Sequence, residues 1–198
     1  MMESTPDFEW ADYFEASETG KLHPLFERLT PHLRDGAKAL DLGCGVGLGT
    51  AFLCERGQRV SAVDIHEEAL MRLKRKVPAG AAPEVIQSDF RELEFQESTF
   101  DLVVATNALY FLPPEYFAAF WRRLVSWIKP GGIFMGQFMG PGDAWSFRED
   151  YNTHTALEVQ RLLTDFEVLH LHDDERDTVI ITGKPNHVHV VHVIARKL

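Results

Sequence analysis

The residues with the most chemistry in them stand close together near the first third of the chain: Asp41-Leu42-Gly43-Cys44-Gly45-Val46-Gly47. Three glycines at alternate positions let a backbone turn sharply and let a ligand approach without meeting a Cβ. The apolar run Ala39–Leu42 precedes them, and Leu48–Arg56 follows with helical periodicity, stopped by Gly57. A turn at the carboxyl end of a strand and the amino end of a helix is where open α/β sheets bind nucleotides. A second acid lies 21 residues after Gly43, where Arg59-Val60-Ser61-Ala62-Val63-Asp64 reads as another strand ending in Asp64. That spacing suits a carboxylate that accepts from both ribose hydroxyls.

Which nucleotide follows from the glycine register and from Asp41. A dinucleotide fingerprint needs Gly-x-Gly-x-x-Gly/Ala. Counting from Gly43 the last position is Leu48, and from Gly45 it is Thr50, so neither register fits. A carboxylate at Asp41 would repel a pyrophosphate and attract a cation. S-adenosylmethionine carries a sulfonium and an ammonium and no phosphate, and suits both acids.

The order of motifs adds to this. Asp41–Gly47, Val63-Asp64, Ser88-Asp89-Phe90, Phe100-Asp101-Leu102-Val103-Val104 and Lys129-Pro130-Gly131-Gly132 resemble, in sequence and spacing, the motifs of class I S-adenosylmethionine-dependent methyltransferases over roughly residues 36 to 138. The core Leu40-Asp41-Leu42-Gly43-Cys44-Gly45 and the compact length are similar to the small-molecule enzymes related to tellurite-resistance and thiopurine methyltransferases. The resemblance implies an α/β, Rossmann-like, doubly wound and mostly parallel seven-stranded sheet, with an antiparallel last strand and helices on both faces. It implies a cofactor site of Asp41, Gly43, Cys44, Gly45, Gly47, Asp64 and Ile65. Asp89 would accept from the adenine amine, Phe90 would pack on the ring, and Thr106 and Asn107 would stand near the transferring methyl.

Elements must position these residues, and the rest of the chain supplies them. Asp7–Glu15 is acidic and aromatic, with Phe8, Trp10, Tyr13 and Phe14, and is read as a short helix either over the mouth of the site or along the sheet edge. Leu25–Leu33, His66–Val77 and Glu115–Ile128 have helical apolar spacing. Pro83–Gln87, Phe100–Ala105 and Ile133–Phe138 read as strands, the last entered by a tight turn at Lys129–Gly132. Thr155 and Glu158 form a capping box opening a helix to about Thr164. Glu167–His172 and His187–Ala195 read as final strands, with Asp173–Asp177 as a charged hairpin tip.

Residues 139–152, rich in glycine, proline and aromatics, leave the cofactor edge of the sheet and are the expected substrate-selecting segment. Tyr13, Tyr110, Asp143 and Trp145 are the substrate candidates. Methyl transfer from a sulfonium needs alignment more than acid–base help, because the electrophile is already activated. No catalytic signature stands out beyond the cofactor site; Tyr110, His154 and His187 are the only candidates. Cys44 as a nucleophile would need an activating base, and none lies nearby in sequence. His187 and His189 share one strand face and His192 takes the other, without the spacing of a metal site.

Composition bounds the alternatives. The chain has 198 residues, 45% hydrophobic content, a formal net charge of −10 and two cysteines, Cys44 and Cys54. One domain is expected, with 1–35 as helical cap, 36–138 as cofactor core, and 139–198 as substrate loop and last strands. The acidic balance speaks against nucleic-acid and anionic-membrane partners. No span or secretory signal is read, and two thiols do not make a disulfide framework, so a cytoplasmic setting is expected. The reading is an enzyme that methylates a small-molecule acceptor at oxygen, nitrogen, sulfur or a metalloid. The rivals are a non-catalytic S-adenosylmethionine-binding module and an NAD-dependent oxidoreductase.

Overall fold

A computed structural model describes residues 10–198. Phe8 therefore lies outside the described residues. The elements run α1 (Trp10–Glu18), α2 (Leu25–Leu29, extended by a 3-10 turn at Thr30–His32), β1 (Lys38–Leu42), α3 (Leu48–Glu55), β2 (Arg59–Asp64), α4 (Glu67–Lys76) and β3 (Glu84–Gln87). They continue with β4 (Phe100–Ala105), a 3-10 turn at Leu109–Phe111, α5 (Pro114–Trp127), β5 (Ile128–Met139), α6 (Ala156–Leu162), β6 (Phe166–Val179) and β7 (Pro185–Lys197).

One sheet holds all seven strands in the order β3-β2-β1-β4-β5-β7-β6. The first five pair in parallel, and β7 runs antiparallel to both β5 and β6. The expected architecture, including the antiparallel last strand, is the one observed. Strand order reverses between β1 and β4, so the crevice beyond their carboxyl ends is open to a ligand.

Each sheet face is buried because its strands carry apolar residues on both sides. Trp127, Phe120, Phe134, Phe138 and Val159 pack α5 and α6 on one face. Phe26, Leu29, Leu53 and Leu73 pack α2, α3 and α4 on the other. Thr155 caps α6 as a complete box with Glu158, as its spacing predicts.

The largest departures from the expected boundaries fall at β5 and β6. β5 begins at Ile128 rather than Ile133, because Ile128 pairs with Phe100 and the Lys129–Gly132 segment is taken up as an irregularity within the strand. The Lys129 ammonium also holds the Asp101 carboxylate at 2.8 Å. Asp173–Asp177 is not a hairpin tip. It continues β6, with Glu175 opposite His189 and Asp177 opposite His187, so acids meet imidazoles across the strands. The tip falls at Ile180–Lys184, where Ile180 accepts the Gly183 N–H at 2.8 Å and Gly183 adopts φ +81°. The β6–β7 ribbon thereby runs past the sheet and returns over its carboxyl edge.

Candidate functional site

A cavity of about 640 Å³ opens at the carboxyl ends of β1, β2 and β4. Its floor is the glycine turn. Gly43 takes φ +65°, and a Cβ there would stand 2.5 Å from the Ala108 Cβ. Gly47 takes φ +87° and is pressed against Leu73. Gly45 also has positive φ but faces open space, and its N–H donates to Asp64 Oδ2 at 2.9 Å. Asp64 Oδ1 accepts the His66 N–H at 2.9 Å and lies 3.2 Å from His66 Nδ1. A carboxylate offers about four lone-pair sites, so Asp64 retains capacity for hydroxyl donors from the cavity.

Asp41 does not line the cavity. It lies buried behind the turn and accepts the Thr50 hydroxyl at 2.7 Å, with its charge at the amino end of α3. Burial pushes its carboxyl up to about 6, against the opposing effect of the Thr50 bond. The helix end that would receive a phosphate is therefore already occupied by an acid.

Of the residues singled out in the sequence, Gly43, Gly45, Asp64, Ile65, Asp89, Phe90, Thr106 and Asn107 line this one cavity, together with Tyr13, Tyr110, Asp143 and Trp145. Asp41, Cys44, Gly47, His154 and His187 do not. Cys44 is buried, and burial raises its thiol well above the ordinary range, so it is no thiolate. His154 packs between Phe117 and Phe138, with ring centroids 4.4 and 5.6 Å away. His187 sits on the ribbon's outer side, bonded to Asp177 at 2.8 Å and Glu175 at 3.2 Å, which raises its pKa.

Beyond the carboxyl end of β3, the Arg91 guanidinium grips Asp89 at 2.6 and 3.0 Å and holds its carboxyl below the usual range. Phe90 stacks on Phe120 at 5.3 Å with planes 14° apart. Arg123 donates to the Phe90 and Arg91 carbonyls at 3.2 and 3.1 Å and fixes that loop. Asn107 stands at φ +51°, a conformation asparagine tolerates better than most residues.

The opposite half is aromatic. Tyr110, Phe111 and Tyr151 pack with centroids 4.6 to 6.2 Å apart, Trp145 adds a ring 6.5 Å from Tyr151, and Trp10 meets Phe111 at 5.2 Å. Trp10, Tyr13 and Phe14 of α1 thus face the cavity rather than a sheet edge. Burial raises the hydroxyls of Tyr13, Tyr110 and Tyr151 above their ordinary values, so they stay protonated.

Asp143 anchors its loop rather than presenting a free carboxylate. It accepts the Trp145 N–H at 2.9 Å and the His189 N–H at 3.0 Å. His189 Nδ1 in turn accepts the Gly142 N–H at 3.0 Å, and its Nε2 meets Asp173 at 2.8 Å. Asn152 pins the loop's far end to the Leu109 and Leu112 carbonyls. Sequence reasoning missed Tyr151, Arg148, His66 and the ribbon-tip residues Ile180 and Ile181, all of which line the cavity. His66 stands beside Ile65, and Arg148 and Tyr151 lie in the 139–152 segment, whereas Ile180 and Ile181 carried no local signal. Among the described residues, no group of three His, Cys, Asp or Glu side chains is arranged to hold a metal ion, and no helix is long and apolar enough to cross a membrane.

Comparison with known proteins agrees with this geometry. A methyltransferase-domain family matches residues 39–132. The cypemycin N-terminal methyltransferase of Streptomyces sp is 40% identical over 100 residues, which are 50% of this chain and 40% of that protein. An uncharacterised methyltransferase of Synechocystis sp. is 36% identical over 99 residues, covering 50% of this chain and 45% of its own length. The chain spans less than half the length of these curated relatives. Among solved structures, TehB of Haemophilus influenzae superposes with TM-score 0.79 at 21% identity, over 96% of this chain and 67% of that one. Residues 39–132 thus match a methyltransferase-domain family, on a β3-β2-β1-β4-β5-β7-β6 sheet whose fold is that of solved S-adenosylmethionine-dependent methyltransferases.

Proposed function

We propose that the chain binds S-adenosylmethionine across Gly43, Gly45 and Asp64 and transfers its methyl group to a small-molecule acceptor. The observation that carries the ligand choice is Asp41, whose acid fills the amino end of α3 where a dinucleotide would place its pyrophosphate. Asp64 and Ile65 would hold the ribose, Asp89 and Phe90 the adenine, and Thr106 and Asn107 would border the methyl. The acceptor's lone pair attacks the methyl carbon as the carbon–sulfur bond breaks and its electrons return to sulfur. The protein aligns the two and excludes water.

The aromatic half would receive the acceptor. Its tyrosines keep their protons, Asp143 is engaged by two backbone N–H groups, and His66 sits at the ribose end beside Asp64. That supports a nucleophile with no proton to lose at neutral pH, carried on a flat apolar body that packs against Tyr110, Trp145 and Tyr151. The 1,6-didemethyltoxoflavin-N1-methyltransferase of Burkholderia thailandensis, solved with 1,6-didemethyltoxoflavin and S-adenosylhomocysteine bound, shares the fold at TM-score 0.66. The acidic balance and two free thiols support a cytoplasmic setting without nucleic-acid or membrane partners, and the 1–198 span reads as a single domain with its cap, core and substrate segment.

Calorimetry with S-adenosylmethionine, S-adenosylhomocysteine and NAD tests the ligand. Binding of the first two and not the third is expected, and preference for NAD would overturn the reading. Formation of S-adenosylhomocysteine with a panel of heteroaromatic thiols and ring nitrogens tests the transfer. Tight binding with no turnover across the panel would favour a cofactor-binding module instead.

A further inference from the structure

Gln137 is a lone amide in the apolar run Ile133–Met139, buried to 2% exposure near the carboxyl end of β5. Its side chain joins two places that otherwise do not touch. Oε1 accepts the Asn107 N–H at 3.1 Å, at the cavity end of β4. Nε2 lies 3.2 Å from His192 Nδ1 on β7, its direct cross-strand neighbour. A backbone N–H can only donate, so the amide oxygen must face Asn107 and the amide nitrogen must face the imidazole. His192 must then offer a lone pair at Nδ1 and carry its proton on Nε2, which points toward Asp174 Oδ2 at 3.8 Å.

We propose that Gln137 is a positioning residue that holds Asn107 at the methyl-transfer edge of the cavity, and that it does so only while His192 presents Nδ1 unprotonated. The placement of Asn107 beside the methyl rests on the function proposed above. The hydrogen-bond chain from Asn107 through Gln137 to His192 does not.

The surroundings keep a proton off His192. His23 stacks on it at 5.3 Å, His172 lies opposite on β6 at 6.2 Å, and His170 stands beyond His172. Arg176 and Arg28 add positive charge near His23 and His170, and among the described residues Asp174 is the one acid acting on His192. Burial, with these neighbours, lowers the His192 pKa to about 4. His23 Nε2 also lies 3.2 Å from the Gln137 nitrogen, while its Nδ1 accepts the Leu25 N–H at 3.1 Å. A neutral ring has one lone pair, so His23 satisfies one of these donors and a charged His23 would satisfy neither. Without the Gln137 oxygen, the Asn107 N–H would lose the acceptor that holds its positive φ.

The tests use the full chain. Imidazole ¹⁵N–¹H spectra of the ligand-free protein should show His192 as the Nε2–H tautomer, uncharged between pH 6 and 8. The Nδ1–H tautomer, or a charged ring in that range, would overturn the proposal whatever the protein binds. S-adenosylhomocysteine affinity then reads the positioning. In Gln137→Leu it should fall about tenfold at every pH from 6 to 8. Gln137→Glu can still accept from Asn107 but turns an oxygen toward the Nδ1 lone pair, so it should recover affinity as pH falls from 8 to 6 and His192 takes a proton. Wild-type affinity in Gln137→Leu, or a pH-independent loss in Gln137→Glu, would overturn it. Failure of the wild-type chain to bind S-adenosylhomocysteine would strike the proposed function, and the tautomer result would still decide the chain of hydrogen bonds.

Discussion

The floor and the roof of the cavity are built by different means. The floor, at the ends of β1 and β2, is backbone: glycines at positive φ, an amide on Asp64, and a buried acid behind the turn. The roof is side chain: rings from α1, from the Leu109–Phe111 turn and from the 139–152 loop, with the ribbon tip laid beside them. A backbone floor tolerates few residue types and binds one shape of ligand. A side-chain roof can be rebuilt ring by ring without disturbing the strands beneath it, which is how one fold comes to serve different acceptors.

The sharpest way to break this comparison is Asp64→Ala. It removes the acceptor proposed for the ribose, and S-adenosylmethionine affinity by calorimetry should fall about 100-fold or more, since charge-assisted hydrogen bonds contribute roughly 1.5–3 kcal/mol each. Unchanged affinity would move the nucleoside elsewhere. Next come the glycines. Gly47→Ala meets Leu73 and should lose about 3 kcal/mol in denaturant titration, through strain plus overpacking, whereas Gly45→Ala meets nothing and should lose about 1 kcal/mol. Equal losses would mean that φ alone sets the cost.

The roof should respond in the other coordinate. Tyr151→Ala should leave S-adenosylhomocysteine affinity within about twofold and raise the acceptor KM about tenfold, the scale of one ring contact. A matching drop in cofactor affinity would erase the division between floor and roof.

The smallest effect is expected at Asp41. Its folded pKa, near 6, stands above the usual carboxylate value of 3.8, so the folded chain prefers the protonated form and stability should decline as pH rises from about 4 to about 6. Asp41→Asn should flatten that decline and change stability at pH 7 by about 1 kcal/mol, because Thr50 loses a charged acceptor as the buried charge is removed. Urea titrations at pH 4.5 and 7 read both.

The floor was legible in the sequence because its requirements are local. Gly43, Gly45 and Gly47 announce positive φ within one short stretch, and Asp64 closes a strand at fixed spacing from them. The strands themselves were legible as apolar runs between helical periods, and their mostly parallel, seven-stranded arrangement as what the family resemblance implies. Asp41 was legible as an acid at the turn, but its side chain packs inward against Thr50 rather than toward the ligand. The roof was not legible because its contacts are set by tertiary folding. Nothing local tells that Asp143 would be spent on the Trp145 and His189 amides, or that His154 would pack on Phe117 instead of facing the cavity. The acidic run Asp173–Asp177 looked like a turn because charges favour exposure. Its pairing with His187 and His189 needed a partner strand whose register only the fold provides.

Ile181 lies against Gly20, just past α1, so closely that a Cβ on that glycine would stand 2.9 Å from the Ile181 Cδ1. The two belong to opposite ends of the described chain, and contacts at such sequence separation bear the largest loop-closure entropy. The site should thus be finished late in folding: the glycine turn and its acids can form with the parallel strands, while the enclosure needs the β6–β7 hairpin to reach back to the first helix.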